Sequence, residues 1–540
     1  MLAGAGAAGF HFYKQWRSHR WVNRAEAFLA VGDTKSASFV ALNILQLDSR
    51  NIEAYRLLAR VAEQDGVRSA IDWRQRVARE APDSIPDTIA LARTAVRFGE
   101  IKTAQAAIDR IPAIGQRDAG YHEVMAQLAM AQKDPASAVR HYTEAAQLDP
   151  GNKNYKLSLA IAQLSSPDAA ARVEAHALLR KLMDDRDVRL PAARAFLEDA
   201  IQRKDPELVP VASLLSSFPE ATFGDRLRRL QILSQLRLPE YPAVLTQVQD
   251  EALSDPAKLT EMLVSMSENN QALLAIEWIR RIPAAKLEQR PVFVAAADCF
   301  IAISDCTGLE EWAKRFNWKD LEYLRHAYLA RAFRDCNKPL DFDLEWSKAF
   351  KGAVNNEAVQ TLQKAAAKWG WKKESIDLLW LLTKDPGSQR AALTTLNQYY
   401  TESSDTPSLY RVASRLAQIA PDDTRAQNNF AQLSLLLNVN TERAGEIARQ
   451  LHEHDPRDPD LACGYAFALY AKGNWREALN VMNTLSEEDR HRPEIAAYHG
   501  LILMAAGQKE KAALYLELGS QAKLLPQEKA LLEKAFSSGR

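Results

Sequence analysis

The chain has 540 residues, with 69 Lys plus Arg against 69 Asp plus Glu, so its formal net charge is zero. That balance excludes a basic surface spread over the whole molecule, and with it a general nucleic-acid binder. The length exceeds what one compact core serves, and alternating runs of Val, Ile and Thr are scarce, which leaves helices stacked in a repeat.

Residues 1–13, MLAGAGAAGFHFY, are small and apolar, and Lys14, Arg17, Arg20 and Arg24 follow them. Gly4, Gly6 and Gly9 fit the glycine spacing of a dinucleotide fingerprint, but no strand precedes them and no βαβ unit surrounds them, so that reading fails. Thirteen apolar residues fall short of the ~20 that a spanning helix needs. Aromatic and then basic side chains after them are the kinds that favour a membrane interface. The expectation is that 1–20 is the remnant of an N-terminal membrane anchor whose start lies upstream. The basic cluster then puts the rest of the chain on the cytoplasmic side.

From Trp21 to about 155, four helix pairs follow at a fixed interval. Their second helices carry Ala37, Ala70, Ala104 and Ala138, at steps of 33, 34 and 34. Ala25, Ala92 and Ala126 each stand 12 residues before such an alanine, and Gly32, Gly66 and Gly99 lie at the turns between. After Asn154 the alanine and glycine signals drift. SSPDAAARVE (165–174) reads as an insertion, and Pro206, Pro210, Pro219, Pro239, Pro242 and Pro256 interrupt the stretch. Helix pairs are expected at 157–183, 190–218, 223–253, 259–282 and 292–316, as degenerate repeats. Six of the eleven tryptophans, Trp312, Trp318, Trp346, Trp369, Trp371 and Trp380, fall between 312 and 380. The expectation for them is filler between wider helix pairs, ahead of a binding groove.

The signal returns at the C-terminal end. Ala466 matches Gly500, Gly473 matches Gly507, and Ala478 matches Ala512, each 34 residues on. Small residues at 466 and 478 let two helices cross closely, since a larger side chain overpacks the crossing at about 1–3 kcal/mol. Gly473 fits the left-handed turn that ends a helix. Residues 526–535 read as a capping helix.

This unit resembles the tetratricopeptide repeat, a 34-residue helix–turn–helix module. The expected fold is therefore an all-α solenoid, a superhelix of such repeats. Its parts are an N-terminal array over 21–155, degenerate repeats over 156–390, a C-terminal array over 391–519, and a capping helix and tail over 520–540. The resemblance implies that outward positions of the first helices meet a protein or peptide partner. Those positions are Arg93, Arg97, Glu123 and Gln127 in front and Asn429, Phe467 and Tyr470 behind. Some family members hold a C-terminal carboxylate with Lys and Asn; Val22 and Glu26 stand at two of those places, so chaperone-tail binding is not expected.

Chemistry-bearing motifs are few. His452, His454 and Asp455 sit in a loop where polar residues are ordinary. Cys299 and Cys306 are seven apart, one face of a continuous helix, in an apolar context that suits packing. Four cysteines, with no CxxC among them, read as neither a disulfide framework nor a zinc site. No phosphate loop, HExxH, GxSxG or EF-hand loop is present. The expectation is a non-catalytic scaffold without metal, cofactor or nucleic acid. The alternative is an enzyme with its site in 157–390, which requires a sheet or a deep ionisable pocket there.

Overall fold

The computed structural model describes residues 20–539, so the expectation for 1–13 lies outside the described residues. The chain divides into two compact units, residues 1–265 and 266–540, and the division falls within the helix Pro256–Glu268. Among the described residues every regular element is helical. They form fifteen helix hairpins and a terminal helix, Pro526–Gly539.

One backbone device builds the hairpins. Fourteen of them turn through a residue with positive φ: Gly32, Gly66, Gly99, Lys133, Lys204, Arg237, Asn270, Ser304, Asn337, Gly370, Ser404, Asn438, Gly473 and Gly507. The N–H of the next residue returns to the carbonyl five residues earlier, at 2.8–3.1 Å in every case. That bond closes the first helix and reverses the chain. In several hairpins the returning residue is an aspartate that also caps the second helix. Asp33, Asp134, Asp305 and Asp405 each accept a hydrogen bond from the backbone N–H three residues on.

These turns recur at steps of 33–35, except for the 71 residues from Lys133 to Lys204, which hold two hairpins. The expected drift of register through the middle is therefore corrected: the period persists where the glycines do not. Lys, Arg, Asn and Ser occupy the left-handed position there, at roughly 1–2 kcal/mol each against glycine, and the closing hydrogen bond holds them in it. The insertion at 165–174 is real. It lengthens the joint between Lys153–Leu164 and Ala169–Met183, where no positive φ is used.

The small-residue crossings are as expected. Ala37, Ala104, Ala138, Ala466, Ala478 and Ala512 have no exposed surface. At Gly500 a Cβ would sit 2.9 Å from the backbone nitrogen of Leu516, so the last hairpin crosses more tightly than an alanine permits. In the hairpin Arg290–Ala302 with Cys306–Arg315, by contrast, Leu309 stands five residues after the turn, and aromatic rings fill the wider space. Trp312 donates its indole N–H to the Phe293 carbonyl at 3.0 Å, and Trp318 and Trp371 are buried. Trp369 and Trp346 meet Trp371 edge to face at 4.9 and 5.4 Å. Trp380 donates to the Tyr400 hydroxyl at 2.9 Å.

The cysteine expectation is corrected. Cys299 ends one helix while Cys306 begins the next, so the two do not share a helix face. Cys306 is instead bonded to Cys336, with Cα atoms 5.7 Å apart. The bond joins the start of one second helix to the end of the following first helix. Cys299 and Cys463 are buried thiols whose burial pushes them up to about 12, which leaves them inert at neutral pH.

Candidate functional site

First helices of successive hairpins pack side by side. In the N-terminal unit Ile85–Arg97 lies against Ala119–Ala131. In the C-terminal unit Thr424–Leu436 lies against Pro459–Ala471, which lies against Pro493–Ala505. Their outward stripes make a face on which the expected contact residues are tested by position.

In front, three of the four expected residues engage one another. Arg93 donates to Glu123 at 2.8 Å, and Gln127 donates to the same carboxylate at 3.3 Å. Arg97 is exposed and makes no hydrogen bond or ion pair among the described residues. Its charge helps hold the Glu63 carboxyl below its ordinary value; burial opposes this, and Arg74 and Thr94 contribute through hydrogen bonds. Similar pairing runs through the N-terminal unit. Arg56 grips Asp87, and Arg194 holds Asp225 through two bonds of 2.8 and 2.7 Å, each arginine reaching 31 residues forward to the first turn of the next first helix.

Behind, Asn429 is exposed and Tyr470 is half-buried. The outward placement of Phe467 is corrected: it is 3 % exposed. It packs between Tyr470 and the Tyr498 ring of the next hairpin, at 6.3 and 4.7 Å. The helical wheel misplaces it because Pro459–Ala471 is covered on nearly every side, so its apolar residues do not mark one inner face.

Asn429 stands at the wall of an open cleft of about 380 Å³. Arg425, Asn428, Asn429 and Gln432 form one stripe of the first wall, Asp460 and Gly464 lie on the second helix, and Glu494 and Tyr498 on the third. The remaining wall is the chain's own C-terminal segment, Ala522–Leu524 with Glu528. Tyr498 is the joint. Its hydroxyl accepts from the Gln432 amide at 2.8 Å and donates to the Glu528 carboxylate. Burial first, and that carboxylate second, hold the phenol well above its ordinary range, so it stays a donor. The neighbouring Gln527 meets the hydroxyl of Thr406, a buried residue 121 positions earlier. Position could not reveal this joint, because Glu528 reads as the outer face of a capping helix.

The cleft is polar and partly unsatisfied. Asn428 is 8 % exposed, and its side-chain oxygen has no hydrogen-bond partner. That oxygen lies where a Cβ on Gly464 would come within 2.5 Å, so glycine at 464 is what admits the asparagine. Arg425, Glu494 and Lys523 make no ion pair among the described residues, whereas Asp460 is held by Arg492 at 2.8 Å. Among the described residues no three His, Cys, Asp or Glu side chains are placed to hold one metal ion. His452 stacks on Tyr465 instead, at 5.4 Å.

Residues 435–502 match the family model described as tetratricopeptide repeat. Among curated proteins none matches the sequence significantly. One solved structure with a similar chain is the crystal structure of the APC/C hetero-tetramer Cut9–Hcn1. The match has 12% identity, covers 85% of this chain and 98% of that one, and has a TM-score of 0.31. A superposition that loose carries no inference about partners. The segment 435–502 is tetratricopeptide-like, and the turn that builds its helix–turn–helix unit recurs in both compact units.

Proposed function

We propose that the chain is a non-catalytic scaffold whose C-terminal cleft holds an extended segment of a protein partner. One observation carries this reading: the cleft already holds polypeptide. Residues 522–528 of the same chain line the cleft with three first helices and are gripped by Tyr498, on the last of those helices, and by Thr406, at the start of the second helix Thr406–Ile419. The open space beside them, with Arg425, Asn429 and Glu494 unspent, suits more chain of the same kind. Polar side chains that meet backbone amides, spread over several repeats, give such grooves their grip. In front, Arg97 is the residue best placed to meet a partner, because Arg93, Glu123 and Gln127 must first release one another.

Two further parts of the reading concern location. The apolar run 1–13 with its basic followers supports attachment to a membrane. The Cys306–Cys336 bond supports an oxidising compartment for the repeats, against the cytoplasmic side that the basic cluster favours.

The test is peptide selection. Random peptides displayed on phage are enriched on the intact chain, and their affinities are measured on Asn429→Arg and Arg425→Glu. Selected peptides are expected to weaken at least about tenfold on both and to bind Arg97→Glu unchanged. Peptides indifferent to the two cleft changes, or no enrichment at all, refute the reading.

A further inference from the structure

A second cleft, in the N-terminal unit, differs from the first in charge. It lies between the second helices Ser69–Glu80 and Ile101–Ile108 and has a volume of about 480 Å³. Ile101–Ile108, which forms one side of it, is 8 residues long. Its floor is apolar, formed by Ala78, Leu91 and Ala107, all buried. Three exposed cations stand around that floor: Arg79, Lys102 and Arg110. No carboxylate lines it. Asp109, beside Arg110, accepts from Gln105 at 2.8 Å and is not in the lining.

What sets these three cations apart is that they surround one apolar floor with no carboxylate in its lining. Arg56, Arg60, Arg68, Arg74, Arg93, Arg180, Arg189, Arg194 and Arg228 are each paired with a carboxylate of their own or a neighbouring hairpin. Arg79, Lys102 and Arg110 form no such pair among the described residues, and Arg79 donates to the Gln75 carbonyl in its own helix at 3.4 Å. Three like charges around one apolar floor repel one another until an anion arrives.

We infer that this cleft is a docking site for an acidic peptide segment of a partner protein. It is separate from the C-terminal cleft and does not rest on that proposal. Spacing selects the peptide over a single phosphate. Lys102 stands in the first turn of Ile101–Ile108 and Arg110 two residues past its end, a separation of roughly 12 Å at helical rise. One phosphate meets both only if the two long side chains fold inward over the floor, which brings their like charges together. Carboxylates on an extended chain, which advances about 3.3 Å per residue, reach both when three or four residues apart. The lining also contains no aromatic ring for a base to stack on, which disfavours a single-stranded nucleic acid. The alanine and leucine floor takes the methylene stems or small apolar residues between the carboxylates.

The experiment uses the full chain and a fluorescein-labelled octaglutamate peptide, followed by anisotropy at low salt. Lys102→Gln with Arg79→Gln and Arg110→Gln is expected to weaken binding at least about tenfold. Ala106→Trp fills the cleft from an exposed position without altering charge, and the same loss is expected. A matched triple change elsewhere in the unit, Lys35→Gln with Arg50→Gln and Lys181→Gln, all exposed, is expected to leave binding within about twofold, as added salt weakens all forms alike. Thermal melts confirm that each variant is folded. Wild-type affinity in Ala106→Trp overturns the proposal, since the peptide then senses surface charge alone. Displacement by oligothymidine or tripolyphosphate at lower concentration than unlabelled octaglutamate overturns it too, as does failure of octaglutamate to bind the wild-type chain.

Discussion

His499 shows how a single side chain sets the limits of the last hairpin. It is 3 % exposed, neither ring nitrogen has a hydrogen-bond partner, and its ring lies 4.3 Å from Tyr515. Burial first, then the nearby Arg490 and His491, push it down to about 4. The folded form thus refuses a proton that the unfolded chain accepts below about 6.5. Stability is complete above that value and is lost as pH falls from about 6.5 toward 4, by about 2 kcal/mol at pH 5. His499→Phe keeps the ring and removes the titration. The urea midpoint of the wild type is expected to fall relative to that of His499→Phe between pH 7 and pH 5. Parallel midpoints over that range mean the imidazole is not held neutral. The sequence was most legible at the smallest residues. Ala466, Ala478, Gly473 and their partners 34 on are positions where any other side chain alters a crossing or a turn. It misled where geometry depends on a neighbour. Phe467 reads as outward until the next hairpin brings Tyr498 against it, and Gly464 is silent until Asn428 is seen beside it.

A hairpin is the unit that repeats, and its legibility depended on the joint. Where glycine supplies the positive φ, at Gly32, Gly66, Gly99, Gly473 and Gly507, the sequence announces the turn. At Lys133, Lys204, Ser304 and Ser404 it does not, although each is followed by an aspartate. Within 156–390 that dipeptide marks only the turns at Lys204 and Ser304; Arg237, Asn270 and Asn337 are followed by Leu238, Gln271 and Lys338, so no shared sign carries the period through. The disulfide was hidden for a related reason: with the hairpin at 322–352 undrawn, Cys336 had no neighbour. Its effect is an element-scale one. Closing a loop of 30 residues restricts the unfolded chain by about 3–4 kcal/mol in the entropic account. Cys306→Ser with Cys336→Ser, or reduction in the native state, is expected to lower hydrogen-exchange protection in Arg290–Gly352 and to spare Thr424–Gly519. Unchanged protection in the first segment would mean that the bond ties together parts already fixed by Trp312 and Trp318.

At the scale of the whole chain, each compact unit is a stack whose members touch mainly their neighbours, and so distributes damage locally. A globular core of this length would transmit a defect throughout, whereas a solenoid behaves as a row of coupled units. Ala104 offers a clean probe. It has no exposed surface, and it belongs to the core formed with Ala92 and Ala95 of its own hairpin and Leu128 of the next. Ala104→Leu overpacks that crossing by about 1–3 kcal/mol. Amides of Ile52–Leu148 are expected to lose protection by a factor of about ten, the equilibrium equivalent of about 1.4 kcal/mol. Amides of Thr441–Gly519, in the other compact unit, are expected to keep theirs. The same locality lets the two clefts be tested apart. Their walls are built from separate hairpins, so a change that empties one leaves the geometry of the other intact. An equal fall in protection across both units would show a single cooperative body, and the independence on which both binding proposals draw would be lost.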